Sequence, residues 1–202
     1  MVTGMPRPRR YSPDDVLDAV ESLVMSAGPA AATIRAISDT VGVSNGALYH
    51  TFGSRSGLLS RAWLRAARRF LDLQRELVGS VRPGDEGIVA AAQAPAAFTE
   101  CHPASAHLVL RVSRDEVIDT ADADLQQLQT ALIDFMIELA TAAWDRRDRA
   151  AVDTVTTCIV DLPTAILLNR NRITSSTARD HLTAAVRAVL AIGPPPPPKG
   201  TS

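Results

Sequence analysis

Cysteine and aromatic residues are scarce in this sequence. The two cysteines, Cys101 and Cys158, stand far apart in a chain of 202 residues and build no disulfide framework. Aromatic side chains are 4% of the chain against 46% hydrophobic residues, so the core rests on Ala, Leu, Val and Ile, which suits closely packed helices. No uninterrupted apolar stretch reads as a bilayer span, and Met1 to Arg10 has no apolar stretch of the signal-peptide kind. The expectation is a cytoplasmic protein with no membrane contact. Recognisable catalytic motifs are missing too: there is no G-x-G-x-x-G, Walker A, H-E-x-x-H or G-x-S-x-G. Neither an enzyme nor a cofactor is expected. His50, His102, His107 and His181 are scattered, and His107 lies five residues beyond His102, which is not a one-face helical ligand pair. No metal site is expected. Cys158, between Thr157 and Ile159, reads as a small core residue.

The net charge of −1 hides an asymmetry. Residues 1–80 carry ten arginines against seven acids, hence +3, and the remainder carries eleven basic and fifteen acidic groups, hence −4. A basic N-terminal end suits phosphate binding, with an acidic body turned away from it. An ordinary solvated surface accounts for so modest a difference equally well. Arg7, Arg9 and Arg10, set among Pro6 and Pro8, form a flexible basic arm over residues 1–10 that would settle on phosphates or in a minor groove. Ser12-Pro13-Asp14-Asp15 then reads as N-cap, first-turn proline and acidic first turn of a helix ending at Gly28.

The segment from Thr33 to Leu59 is the most informative. Thr33 caps a short helix with Ile34, Ile37 and Val41 at helical spacing, and Gly42 supplies a sharp corner. Ser44 caps a second helix whose Leu48 points to the core, while Asn45, Gly46, Ala47, Tyr49, His50 and Thr51 stay polar or small. That is the pattern of a helix–turn–helix that lays its second helix in the DNA major groove, although a generic helical hairpin shares much of it. Gly42-Val43-Ser44, Leu48-Tyr49, His50 with Phe52, and Ser54-Arg55 follow one another in the order of the tetracycline-repressor (TetR) family signature, which the chain resembles over roughly residues 10–64. Ser38 stands where alanine is usual in that family, and Arg55 where lysine is more frequent. The resemblance implies double-stranded DNA as partner, with Tyr49 and Arg55 on phosphates. Asn45, Gly46, Ala47 and Thr51 would face bases or backbone, Ser44 and His50 would lie in the same interface, and Arg35 would reach in from the preceding helix.

A fourth helix over residues 54–77 links head to body, and Arg82-Pro83-Gly84-Asp85 breaks the chain. Helices are expected over 86–101 (bent or divided by Pro95), 104–111, 122–146, 149–171 (interrupted by Pro163) and 176–192. The fold class is all-α. Its domains are a helix–turn–helix head over 11–58, a helical ligand-binding and dimerisation body over 59–192, and a proline-rich disordered tail over 193–202. The resemblance implies a homodimer through the last two helices and a small-molecule effector that releases a repressor from a palindromic operator. Phe98, His102, His107, Leu110, Arg111, Phe135, Trp144 and Asn169 are the side chains able to shape an effector pocket and give it polar handles. Two other readings stay open: a constitutive DNA-binding protein with a ligand-free body, and an all-α enzyme with an incidental hairpin.

Overall fold

The computed structural model describes residues 11–113 and 123–196. Among them every regular element is helical. Helix α1 (Pro13–Ala27) starts in a capping box: the Ser12 N–H donates to Asp15 Oδ2 at 2.8 Å and the Asp15 N–H to Ser12 Oγ at 3.1 Å. It buries Val16, Val20 and Val24 and stops at Gly28. A 3₁₀ turn (Pro29–Ala31) leads to α2 (Ile34–Val41), capped by Thr33, and to α3 (Asn45–Phe52), capped by Ser44. Helix α4 (Arg55–Gly79) then runs for 25 residues from its cap at Ser54. Its first turn passes so close to the end of α3 that a Cβ on Gly57 would fall 2.5 Å from the Phe52 carbonyl oxygen. Only glycine fits there.

The body contains α5 (Asp85–Ala92), α6 (Ala94–Cys101), α7 (Pro103–Arg111), α8 (Ala123–Trp144), α9 (Arg149–Thr156) and α10 (Ser176–Ile192). Pro95 does not bend one long helix over 86–101. The chain breaks at Gln93, and the proline sits in the first turn of α6, where its missing N–H costs nothing. Pro163 likewise does not interrupt its helix. Beyond α9 the helix continues as two π-turns (Thr157–Asp161 and Thr164–Leu168) on either side of the proline. Pro163 has no N–H to offer the carbonyl four residues back, and the wider turns carry the ladder past it, with the Asn169 N–H reaching the Thr164 carbonyl at 2.9 Å.

Two apolar clusters hold the molecule together. One gathers the inner faces of α1 to α3 with Leu58, Leu59, Ala62 and Leu64 of α4, and is completed by Leu108 of α7 and Leu125 of α8. The other joins α5, α8, α9, the π-turns and α10 around Phe135, Ile88 and Leu182. The head therefore closes its core with side chains from the body. The helical stretch Arg149–Leu168 has a mean hydropathy of 1.5 and the length of a membrane span, yet only 33% of it is buried within the chain. At the C-terminal end Arg146 donates to the Pro195 carbonyl at 2.9 Å and reaches the Pro194 carbonyl at 3.4 Å, so the first residues of the expected disordered tail are tied down. The rest of that tail and the arm carrying Arg7, Arg9 and Arg10 lie outside the described residues.

Candidate nucleic-acid interface

The corner between α2 and α3 is built from short-range bonds. Gly42 takes a left-handed conformation (φ 75°, ψ 33°) that costs glycine nothing, and its N–H donates to the Ser38 carbonyl at 2.8 Å. The Ser38 hydroxyl donates across the turn to the Val43 carbonyl. Serine here is more than a size-matched stand-in for alanine: it latches the two helices, a role the sequence pattern did not disclose. Ser44 Oγ accepts the Ala47 N–H at 3.2 Å, and Leu48 and Phe52 lock α3 onto the head core.

That anchoring decides what α3 shows to solvent. Ser44, Asn45, Gly46, Tyr49 and His50 are exposed, Tyr49 to 53%, and Ala47 and Thr51 are half-buried beside them. No acid occurs between Gly42 and Arg55, so the face carries no charge that repels phosphate. Arg35, with its side chain 88% exposed and 3.9 Å from Asp39, projects from the first turn of α2. Arg55 is different. Its Nε donates to the Ala32 carbonyl at 2.9 Å and its Nη2 to the Pro29 carbonyl, so the guanidinium expected on phosphate holds the turn before α2. The α3–α4 corner has a cation of its own in Arg61, which donates to the Thr51 carbonyl at 2.8 Å and lies over the Phe52 ring at 5.3 Å.

Residues 16–62, which include this whole arrangement, match the family model for bacterial regulatory proteins of the tetR family. That segment is a helix–turn–helix of the tetR family. Over 55 residues it is 36% identical to the HTH-type transcriptional repressor BdcR of Escherichia coli (strain K12), a match spanning 27% of this chain and 28% of that relative's length. Solved structures extend the likeness to the body. A tetR-family regulator from Shewanella sp. PV-4 is 17% identical with a TM-score of 0.66, covering 88% of this chain and 96% of that one. FadR of Bacillus subtilis, in complex with stearoyl-CoA, is 16% identical with a TM-score of 0.61, covering 90% and 97%. At that identity the agreement is one of fold.

A buried ionic joint ties head to body. Glu21 of α1 is 3% exposed. Its Oε1 accepts from Arg65 Nη2 of α4 at 2.7 Å, and its Oε2 accepts the Ser105 hydroxyl of α7 at 2.5 Å. Arg65 also bonds Asp18 at 2.6 Å and Asp14 at 3.1 Å. Both oxygens of the buried carboxylate have a donor, which is what a charge removed from water requires.

The eight side chains expected at an effector pocket do not converge on one place. Phe98 and Phe135 are packed core residues, the first edge-on to Phe70 at 5.3 Å and the second 5.7 Å beneath Arg75. Trp144 is half-buried against the second cluster, His102 is an exposed residue beside Phe98, and Asn169 is exposed on the helix end. His107, Leu110 and Arg111 do meet, in a cavity of about 700 Å³ where the end of α1 and the following turn face α7. Met25, Pro29, Asn171 and Ile173 share that cavity and were not anticipated, because only the fold brings residue 25 beside residue 111. Among the described residues, no three His, Cys, Asp or Glu side chains converge as metal ligands.

Proposed function

We propose that this tetR-family chain is a homodimeric transcription repressor that lays α3 in the major groove of a palindromic operator and is released by a small-molecule effector. The observation that carries the reading is the acid-free outer face of α3, with Asn45, Tyr49 and His50 exposed on a helix fixed from behind by Leu48 and Phe52. Asn45 and Thr51 read bases, Gly46 and Ala47 allow close approach to the duplex, and Ser44, Tyr49, His50 and Arg35 meet phosphates. Arg55 acts at one remove, by holding the turn before α2.

Dimerisation is supported by the apolar stretch Arg149–Leu168, of which only a minority is fully buried within the chain. Val160 and Ala165 face out from it, and α10, packed on its second π-turn, exposes Ala184, Ala188 and Ala191. Small side chains let helices of a second copy approach closely, and burying this face removes apolar surface from water. The effector part is supported by the fold shared with FadR, which was solved holding stearoyl-CoA, and by the open cavity between head and body.

Selection of bound fragments from sheared genomic DNA tests the reading. The expected result is enrichment of a defined sequence, and Asn45→Ala shifts the preferred bases without unfolding the protein. Uniform retention of all fragments, unchanged in the variant, would overturn it.

A further inference from the structure

We infer that the cavity between head and body is the effector site and that its occupant is an organic anion with an apolar body. The inference rests on the reading of the chain as an effector-responsive regulator and adds the place and the chemistry. A volume of about 700 Å³ lies in the range that accepts a small organic molecule. Its apolar surface comes mainly from Met25, Leu110 and Ile173, and its polar side chains include Arg111, His107 and Asn171 beside Thr99. Among the described residues no Asp or Glu lines it. Clefts elsewhere differ on this point: one beside α1 contains Asp15 and Asp18, and one along α8 contains Asp134 and Glu138.

Arg111 is the discriminating group. It is exposed, it donates to the neutral Oδ1 of Asn171, and among the described residues it forms no ion pair with a carboxylate. A guanidinium presents paired donors that match a carboxylate or sulfonate, so an anionic head placed there gains charge-assisted bonds, with no carboxylate among the described lining residues to repel it. The apolar remainder of the occupant lies toward Met25, a flexible side chain that is 43% exposed and adapts to irregular shapes.

The location gives such a ligand leverage. Met25 and Pro29 belong to the head, whereas Leu110, Arg111 and Ile173 belong to the body. The Pro29 carbonyl is also the one that Arg55 of α4 holds. An occupant touching both sides binds one head–body spacing better than another, and that differential affinity is all that a shift in DNA binding requires.

The test uses the full-length protein and 8-anilinonaphthalene-1-sulfonate, an amphipathic anion that fluoresces on entering apolar sites, with decanoate and decylamine as competitors. The expected result is one saturable site per chain, emptied by decanoate and not by decylamine. Arg111→Gln weakens decanoate at least tenfold. Met25→Trp, which fills the cavity, abolishes both ligands while the helical circular dichroism is retained. Decanoate lowers operator affinity in the wild type and not in Met25→Trp. Absence of a saturable site, or binding unchanged in both variants, overturns the site. Decanoate bound as expected with operator affinity unaltered overturns its effector role and leaves the regulator reading standing. Failure to select any preferred DNA strikes the regulator reading itself, and the fluorescence results still decide the anion chemistry.

Discussion

Arg35 holds its guanidinium in solvent, 3.9 Å from Asp39, whereas Arg55 gives Nε and Nη2 to the carbonyls of Ala32 and Pro29. Removing them should have opposite signatures. Arg35→Ala is expected to weaken binding to all DNA alike and lower the salt slope by about one unit, since one phosphate contact is lost. Arg55→Ala is expected to leave that slope unchanged and to destabilise the fold by about 1.5–3 kcal/mol, the range for a hydrogen bond to a charged group. Salt titrations of affinity and denaturant melts separate the two. The sequence showed where α3 begins and which side chains it exposes, because caps, the glycine corner and apolar spacing are local signals. It did not show that Arg55 turns inward, since the partners at Pro29 and Ala32 lie more than twenty positions away and meet it only in the fold. A further residue-level consequence concerns Asp148, which caps α9 and accepts two bonds from Arg146. The Arg146 guanidinium lowers its pKa from the ordinary 3.8 to about 2. A carboxylate with a lowered folded-state pKa stabilises the fold above its ordinary value, and that contribution is lost as pH falls through about 2. Carboxyl NMR titration should place the midpoint there and return it toward 3.8 in Arg146→Ala.

At the scale of elements, α4 was legible as the link between head and body, but its partner in that role was not. Helix α7 packs on both α1 and α4, gives Leu108 to the head core and fixes Glu21 through Ser105. Ser105→Ala leaves one oxygen of a buried carboxylate without its donor and is expected to cost about 1–3 kcal/mol. It should also reduce the difference in operator affinity with and without effector more than Thr130→Ala, a change on the exposed side of α8 away from the cavity. An effector response equal to wild type in Ser105→Ala would show that α7 is not part of the transmission. The π-turns beside Pro163 are the other feature the sequence left open. A proline in a helical pattern reads as a break, yet a widened turn keeps the helix continuous when both flanks pack well, as Ile159 and Leu167 do here. Continuity keeps Val160 and Ala165 on an uncovered face beside α10. Val160→Glu is therefore expected to give a folded monomer by light scattering, because the side chain is 42% exposed within one chain and would meet a second copy in the dimer. A variant that remains dimeric would place the interface elsewhere.

For the whole molecule, the two apolar clusters share α4, α7 and α8 between them, so head and body cannot move independently without opening packed surface. The charge division of the chain, +3 over residues 1–80 and −4 beyond, is consistent with the proposed approach of the basic end to DNA but too modest to establish it. A two-fold dimer presents two copies of α3 at one fixed separation, and the operator must mirror that symmetry. Footprinting on a genomic fragment selected by the protein, with the mass of the bound complex measured alongside, tests this most directly. The account requires protection of an inverted repeat with half-sites about one helical turn or more apart and two protomers on one duplex. Protection of a single non-palindromic half-site by one protomer, unchanged as protein concentration rises, would contradict it.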